Sequence, residues 1–167
     1  LSSYGVSKLM NEELMKMYVR SFGLKGGAYR IFSTYGPGLK RQIVYDLIKK
    51  LQSDPSRIEV LGDGCDSRDM TYVSDQARAI HMLDREVSPS GDVFNTGSGN
   101  CYTVREILDA IVMEMGLSPE VAFTNESRSY DGKAWRADVS KLRALGWAPE
   151  VCLERGIAYT VEAVGAR

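Results

Sequence analysis

Apolar residues Val6, Met10, Leu14, Met17 and Tyr18 recur at helical spacing between Tyr4 and Phe22, and Gly23 offers a natural stop, so the pattern predicts a helix there. "GAYRIFS" (27–33) is short, β-prone and bounded by glycines, which predicts a strand, and in "TYGPG" after it Gly36-Pro37-Gly38 must turn. Val44, Leu47, Ile48 and Leu51 give a second helix that ends before Asp54-Pro55. "IEVLGDG" and "RDMTYV" read as two short strands around a glycine-rich turn, and Ser74 or Asp75 then caps a helix through Arg85. "GDVFNTGSG" (91–99) is a strand running into glycine. Thr103 and Glu106 form a capping box, behind which Val104, Ile107, Leu108, Ile111 and Met115 continue to Gly116. After Pro119 the pattern weakens: "RSYDGKAW" is loop-like, Asp138 can cap a short helix to Leu145, and a last helix covers 153–164. Strands alternating with helices mark an α/β chain with parallel pairing.

Composition narrows the function classes. The 167 residues are 44% hydrophobic and 26% charged, an ordinary globular mixture. The 21 Lys and Arg nearly cancel 22 Asp and Glu, so no global field favours nucleic acid or a membrane surface, and any anion site must be local. Cys65, Cys101 and Cys152 are odd in number and far apart, which argues against a disulfide framework or a zinc site and fits a reducing cytoplasm. No apolar run reaches the length of a membrane span. The chain opens on Leu1 with helix-capping sequence already under way, so it reads as part of a longer chain.

Tyr4 and Lys8 are one turn apart on the first helix, so the ammonium can approach the phenol. A phenol serves as a base near neutral pH only where something favours its phenolate, and an adjacent cation does so. Spacing alone does not single the pair out, because Tyr45 and Lys49 stand in the same relation. His81, the one histidine, sits mid-helix without a nucleophile or metal-ligand spacing and is read as structural.

Taken in order, "SSYGVSK", "RIFSTYGPG", "GDGCDSRDMTYVSD", "FNTGSG", "RSYD" and "KLRALGWAP" resemble the extended short-chain dehydrogenase/reductase family, nearest to its nucleotide-sugar epimerases and dehydratases. The resemblance runs over essentially the whole chain. It implies the C-terminal part of a Rossmann-like doubly wound parallel sheet (residues 1–38 and 68–100) interleaved with a small α/β substrate-binding domain (39–67 and 101–167). It also implies catalytic roles for Tyr4, which exchanges a proton with a sugar hydroxyl, and Lys8, which holds the nicotinamide ribose, with Phe32 beside the nicotinamide of NAD or NADP.

For the nucleoside diphosphate sugar, Arg68 and Arg128 match two family arginines that face the diphosphate, where a planar bidentate donor suits phosphate. Asp131 matches a carboxylate near the nucleotide, although Tyr130 stands where the family usually has glycine. Ser33 takes the place of a substrate-binding asparagine, and Glu59 and Leu61 match positions lining the base pocket. No metal is implied. The family's glycine-rich loop, its acidic ribose-binding residue and the Ser or Thr of its catalytic trio precede the tyrosine and are not in this sequence, so dehydrogenase chemistry by these residues alone is expected to be absent or very weak. An exposed flank of a parallel sheet would seek the missing half or a second copy, giving a homodimer. The expected parent is a 4-epimerase, with a 4,6-dehydratase or a non-catalytic nucleotide-sugar-binding module as alternatives.

Overall fold

In the computed structural model, which describes residues 2–86, 90–126 and 134–165, the first helix, α1 (Ser3–Phe22), starts at a serine cap. The Ser2 side chain accepts from the Gly5 N–H at 3.1 Å, and Gly23 closes the other end at φ 66°, donating to the Val19 carbonyl. The predicted helix is present, but its apolar spacing does not mark a core face. Val6, Met10, Leu14, Met17 and Tyr18 are all exposed, and Glu12 is the only buried residue of α1.

Two strands, β1 (Ala28–Ile31) and β2 (Ser33–Tyr35), stand where one was expected. The break at Phe32 sends them to different partners. β1 runs parallel to β5 (Val93–Thr96), and β2 runs parallel to β4 (Ser67–Tyr72). The turn falls at Gly36-Pro37-Gly38, where the glycines and proline place it, directly after Thr34 and Tyr35 in strand. Helix α2 (Gln42–Ser53) buries Val44, Leu47, Ile48 and Leu51 and ends at Asp54, as its stripe predicts.

β3 (Arg57–Val60) and β4 do not pair with each other. β3 pairs in parallel with β7 (Glu120–Phe123), a strand in the stretch after Pro119 that showed no strand signal. Helix α3 (Val73–Glu86) starts one residue before Ser74, so neither Ser74 nor Asp75 caps it. The Asp75 carboxylate lies in the first turn and instead accepts from Arg78 and from the backbone of Glu150 and Val151. β6 (Cys101–Thr103) leads into α4 (Val104–Met115), where the Thr103–Glu106 capping box forms in both directions. β8 (Ala134–Trp135), α5 (Ser140–Ala144) and α6 (Leu153–Gly165) complete the described chain, and Asp138 accepts the Ser140 N–H at 3.0 Å.

β4 changes partners along its length. Met70, Thr71 and Tyr72 pair in parallel with β2. Ser67, Arg68 and Asp69 pair antiparallel with β6, and Ser67 and Arg68 also pair in parallel with β8. Two apolar clusters flank this junction. In one, the inward stripes of α2, α4 and α6 meet Tyr35 and Met70. In the other, Ala79 and Leu83 of α3 and Phe94 of β5 pack against Ala137, Val139, Leu142 and Trp147. Each fully buried aliphatic side chain contributes about 1.5–3 kcal/mol, so the α2–α4–α6 stripe is a principal source of stability. Among the described residues no helix is long and apolar enough to cross a membrane, and no group of three His, Cys, Asp or Glu could hold a metal ion.

Candidate functional site

A cleft of about 460 Å³ opens beside β2 and β4, walled by the first turns of α2 and the end of β3. Ser33, Leu61 and Arg68, which are far apart in sequence, line it together, with Tyr35 and Met70 also on its wall. Parallel pairing explains part of this: Ser33 of β2 sits opposite Met70 of β4, two residues beyond Arg68. Arg68 is half-buried, and its Nη1 donates to the Ser67 carbonyl at 2.9 Å. Glu59 lies elsewhere. On β3 the alternation turns Ile58 and Val60 inward and leaves Glu59 exposed, so Val60 rather than Glu59 joins Leu61 in the cleft wall.

Among the described residues, Arg41, Lys50 and Arg68 line the cleft together with the carboxylate of Asp46. The α2 end is unusual for a non-glycine sequence. Arg41 is its N-cap without a side-chain cap hydrogen bond, and Gln42, the first helical residue, has φ 71°. Tyr35 is a poor proton carrier by comparison: burial pushes its phenol far up from the ordinary tyrosine value, and its hydroxyl donates to the Leu153 carbonyl at 3.3 Å.

Tyr4 and Lys8 do not line this cleft. Tyr4 is 71% exposed, and the Lys8 ammonium lies 5.4 Å from the centre of its ring. That is within cation–π range and keeps positive charge against the phenol. Phe32 is half-buried between β1 and β2, packed on the α3–β5 cluster, with its N–H donating to the Thr96 carbonyl. Arg128 and Asp131, and Tyr130 between them, lie outside the described residues.

Sequence reasoning passed over Asp69. Its carboxylate is fully buried at the point where β4 changes sheets. One oxygen accepts from the Ser98 N–H at 2.8 Å and the Ser98 hydroxyl at 2.9 Å. The other accepts from the Gly99 N–H at 2.9 Å and the Ala137 N–H at 3.1 Å. These bonds tie the strand carrying Arg68 to the 97–99 turn and to the segment after β8. An acidic residue inside the strand-like run RDMTYV was the available signal, since such a charge must be exposed or fully satisfied.

The profile of the NAD dependent epimerase/dehydratase family matches residues 1–97. A UDP-glucuronate 4-epimerase of Thermodesulfobacterium geofontis is 31% identical over 165 residues, covering 96% of this chain and 50% of its own length. A dTDP-glucose 4,6-dehydratase of Salmonella typhimurium is 29% identical over 172 residues, covering 96% and 46%. Among solved structures, the UDP-glucuronic acid 4-epimerase of Bacillus cereus in complex with UDP-glucuronic acid and NAD superimposes with a TM-score of 0.87 at 28% identity, over 99% of this chain and 53% of that one. The chain thus spans about half the length of the curated relatives it matches. The α/β architecture with parallel pairing agrees with the expectation from sequence.

Proposed function

Because the chain belongs to the NAD dependent epimerase/dehydratase family, we propose that it forms the C-terminal, substrate-binding portion of a nucleotide-sugar 4-epimerase. In this reading Tyr4 accepts the proton of the sugar 4-hydroxyl as C4 is oxidised, and returns it when C4 is reduced on the opposite face. The Lys8 ammonium holds charge against the phenol and hydrogen-bonds the cofactor ribose. Arg68 pairs with the diphosphate, joined by Arg128, while the Ser33 hydroxyl meets the sugar and Leu61 covers the base. Asp131 lies near the nucleotide.

Two exposed polar groups side by side on α1 suit a nicotinamide ribose and a sugar hydroxyl, so Tyr4 and Lys8 fit a dinucleotide cofactor. NAD or NADP, when bound, supplies the hydride acceptor. The observation that carries the reading is the cleft in which Ser33, Leu61 and Arg68, assigned to the substrate from three separate motifs, meet beside Arg41 and Lys50. Electrostatics of this kind draw a diphosphate.

Titration calorimetry of the chain with a UDP-sugar and, separately, with NAD tests it. Sugar-nucleotide binding that is lost in Arg68→Ala supports the reading. Binding of neither ligand would leave only a structural remnant of the family, and sugar-nucleotide binding without any cofactor binding would point to a non-catalytic module.

A further inference from the structure

Arg68, the residue set against the diphosphate in the proposed function, lies where β4 has a strand on each side. It pairs with Tyr102 of β6 along one edge and with Trp135 of β8 along the other. Both flanks are short, three residues in β6 and two in β8, so their own ladder bonds hold them weakly. Asp69 supplies what they lack. Side chains alternate along a strand, so Arg68 and Met70 face the cleft while Asp69 faces away from it. There its carboxylate reaches the backbone beyond both flanks. One oxygen accepts from the N–H and hydroxyl of Ser98, in the turn that leads into β6. The other accepts from the N–H groups of Gly99 in that turn and of Ala137, two residues past Trp135. The Ser98 hydroxyl also accepts from the Asn100 N–H at 2.9 Å, and the Asn100 carbonyl accepts from the Met70 N–H at 3.2 Å, which closes the run back onto β4.

Asp69 is 0% exposed, and all of these donors belong to the chain itself. The Arg68 side chain is tied to the same clamped stretch, since its Nη1 donates at 2.9 Å to the carbonyl of Ser67, which also lies between β6 and β8. A guanidinium gives phosphate two parallel hydrogen bonds only when it is held in the right plane, and a working site holds such a group within about 0.5 Å. We infer that Asp69 is a positioning residue: one buried carboxylate clamps the segments flanking Arg68 and so sets where its guanidinium meets a diphosphate. This rests on the reading of Arg68 given above; Asp69 itself does not line the cleft.

The test uses Asp69→Asn, which keeps the shape and an acceptor for Ser98 but turns an NH2 toward the Gly99 and Ala137 N–H groups. The chain is titrated with UDP and, separately, with uridine, which carries the base without phosphate, and amide shifts are followed by NMR. UDP affinity is expected to fall about 10-fold, the worth of one charge-assisted hydrogen bond, with uridine affinity kept within about twofold. The order parameter of the Arg68 Nε–H, measured without ligand, is expected to fall while that of Arg30 on β1 stays. Equal losses for UDP and uridine would overturn the inference, because a cleft loosened as a whole weakens both. So would an unchanged UDP affinity. An Arg68 as rigid as in wild type would overturn it at any affinity and leave Asp69 a structural residue of the β4 junction. If the wild-type chain binds neither UDP nor uridine, the proposed function fails by itself, and the order parameter still decides whether Asp69 fixes Arg68. Should Asp69→Asn not fold, Ser98→Ala, which removes only the hydroxyl between Asp69 and Asn100, is judged by the same readings.

Discussion

Replacing Asp69 with alanine removes the acceptor of three backbone N–H groups, those of Ser98, Gly99 and Ala137, at a fully buried site. The Ser98 hydroxyl also loses a partner, although it keeps a contact to the Asn100 carbonyl at 3.2 Å. Each buried donor left without a partner costs about 1–3 kcal/mol. Three of them come to about 3–9 kcal/mol, set against a total stability of about 5–15 kcal/mol for an ordinary domain.

Asp69→Asn separates shape from acceptance. It keeps one carbonyl oxygen for Ser98 but turns an NH2 toward the Gly99 and Ala137 N–H groups, so about 2–6 kcal/mol of the loss should remain. Urea denaturation followed by far-UV circular dichroism measures both variants. The midpoint should fall steeply for alanine, less for asparagine, with the slope unchanged. A loss below about 1 kcal/mol for Asp69→Ala would mean that the 97–99 turn and residue 137 find other acceptors, and that Asp69 does not hold β4 at its junction.

Other consequences can be checked with the same methods. Arg68→Lys keeps the charge but not the planar fork, so UDP-sugar affinity measured by calorimetry should fall roughly 10-fold to 100-fold. Gly64 has φ +82°, and a Cβ there would lie 2.6 Å from the Phe123 ring, itself covered by the Arg105 guanidinium. Gly64→Ala should therefore lose about 2–4 kcal/mol in urea denaturation, from backbone strain and overpacking together. The hydrogen bonds from Arg30 hold the Glu12 carboxyl below its ordinary value of 4.5. A lowered carboxyl contributes stability that is complete above its unfolded pKa and is lost as the pH falls through the folded one. Wild type should accordingly lose its advantage over Glu12→Gln as the pH drops below 4.5, and a stability difference that stays constant into acid would contradict this.

Much of the helical framework was legible in the chain because its determinants are local. The Thr103–Glu106 box, the left-handed glycines 23 and 116, and the proline after Asp54 all act within a few residues of the ends they set. The stripe of α2 was equally plain, since a core on one side imposes the helical period. Ser33, Leu61 and Arg68 were named in another way, by the family resemblance of motifs in order and by no local spacing.

What tertiary structure decided is everything that depends on a partner far along the chain. Nothing local announces that Phe32 divides one apolar run between two sheets, that β7 forms only by pairing with β3, or that Glu59 faces outward while Val60 joins the cleft. The apolar spacing of α1 correctly marked a helix but could not tell its buried side, because amphipathic period reports the helix and not what covers it. Glu12 meets Arg30, 18 residues away, and Asp69 meets Ala137, 68 residues away. Such pairings arise when distant segments are brought together and desolvated, a free energy that belongs to the assembled fold and to no stretch of it alone.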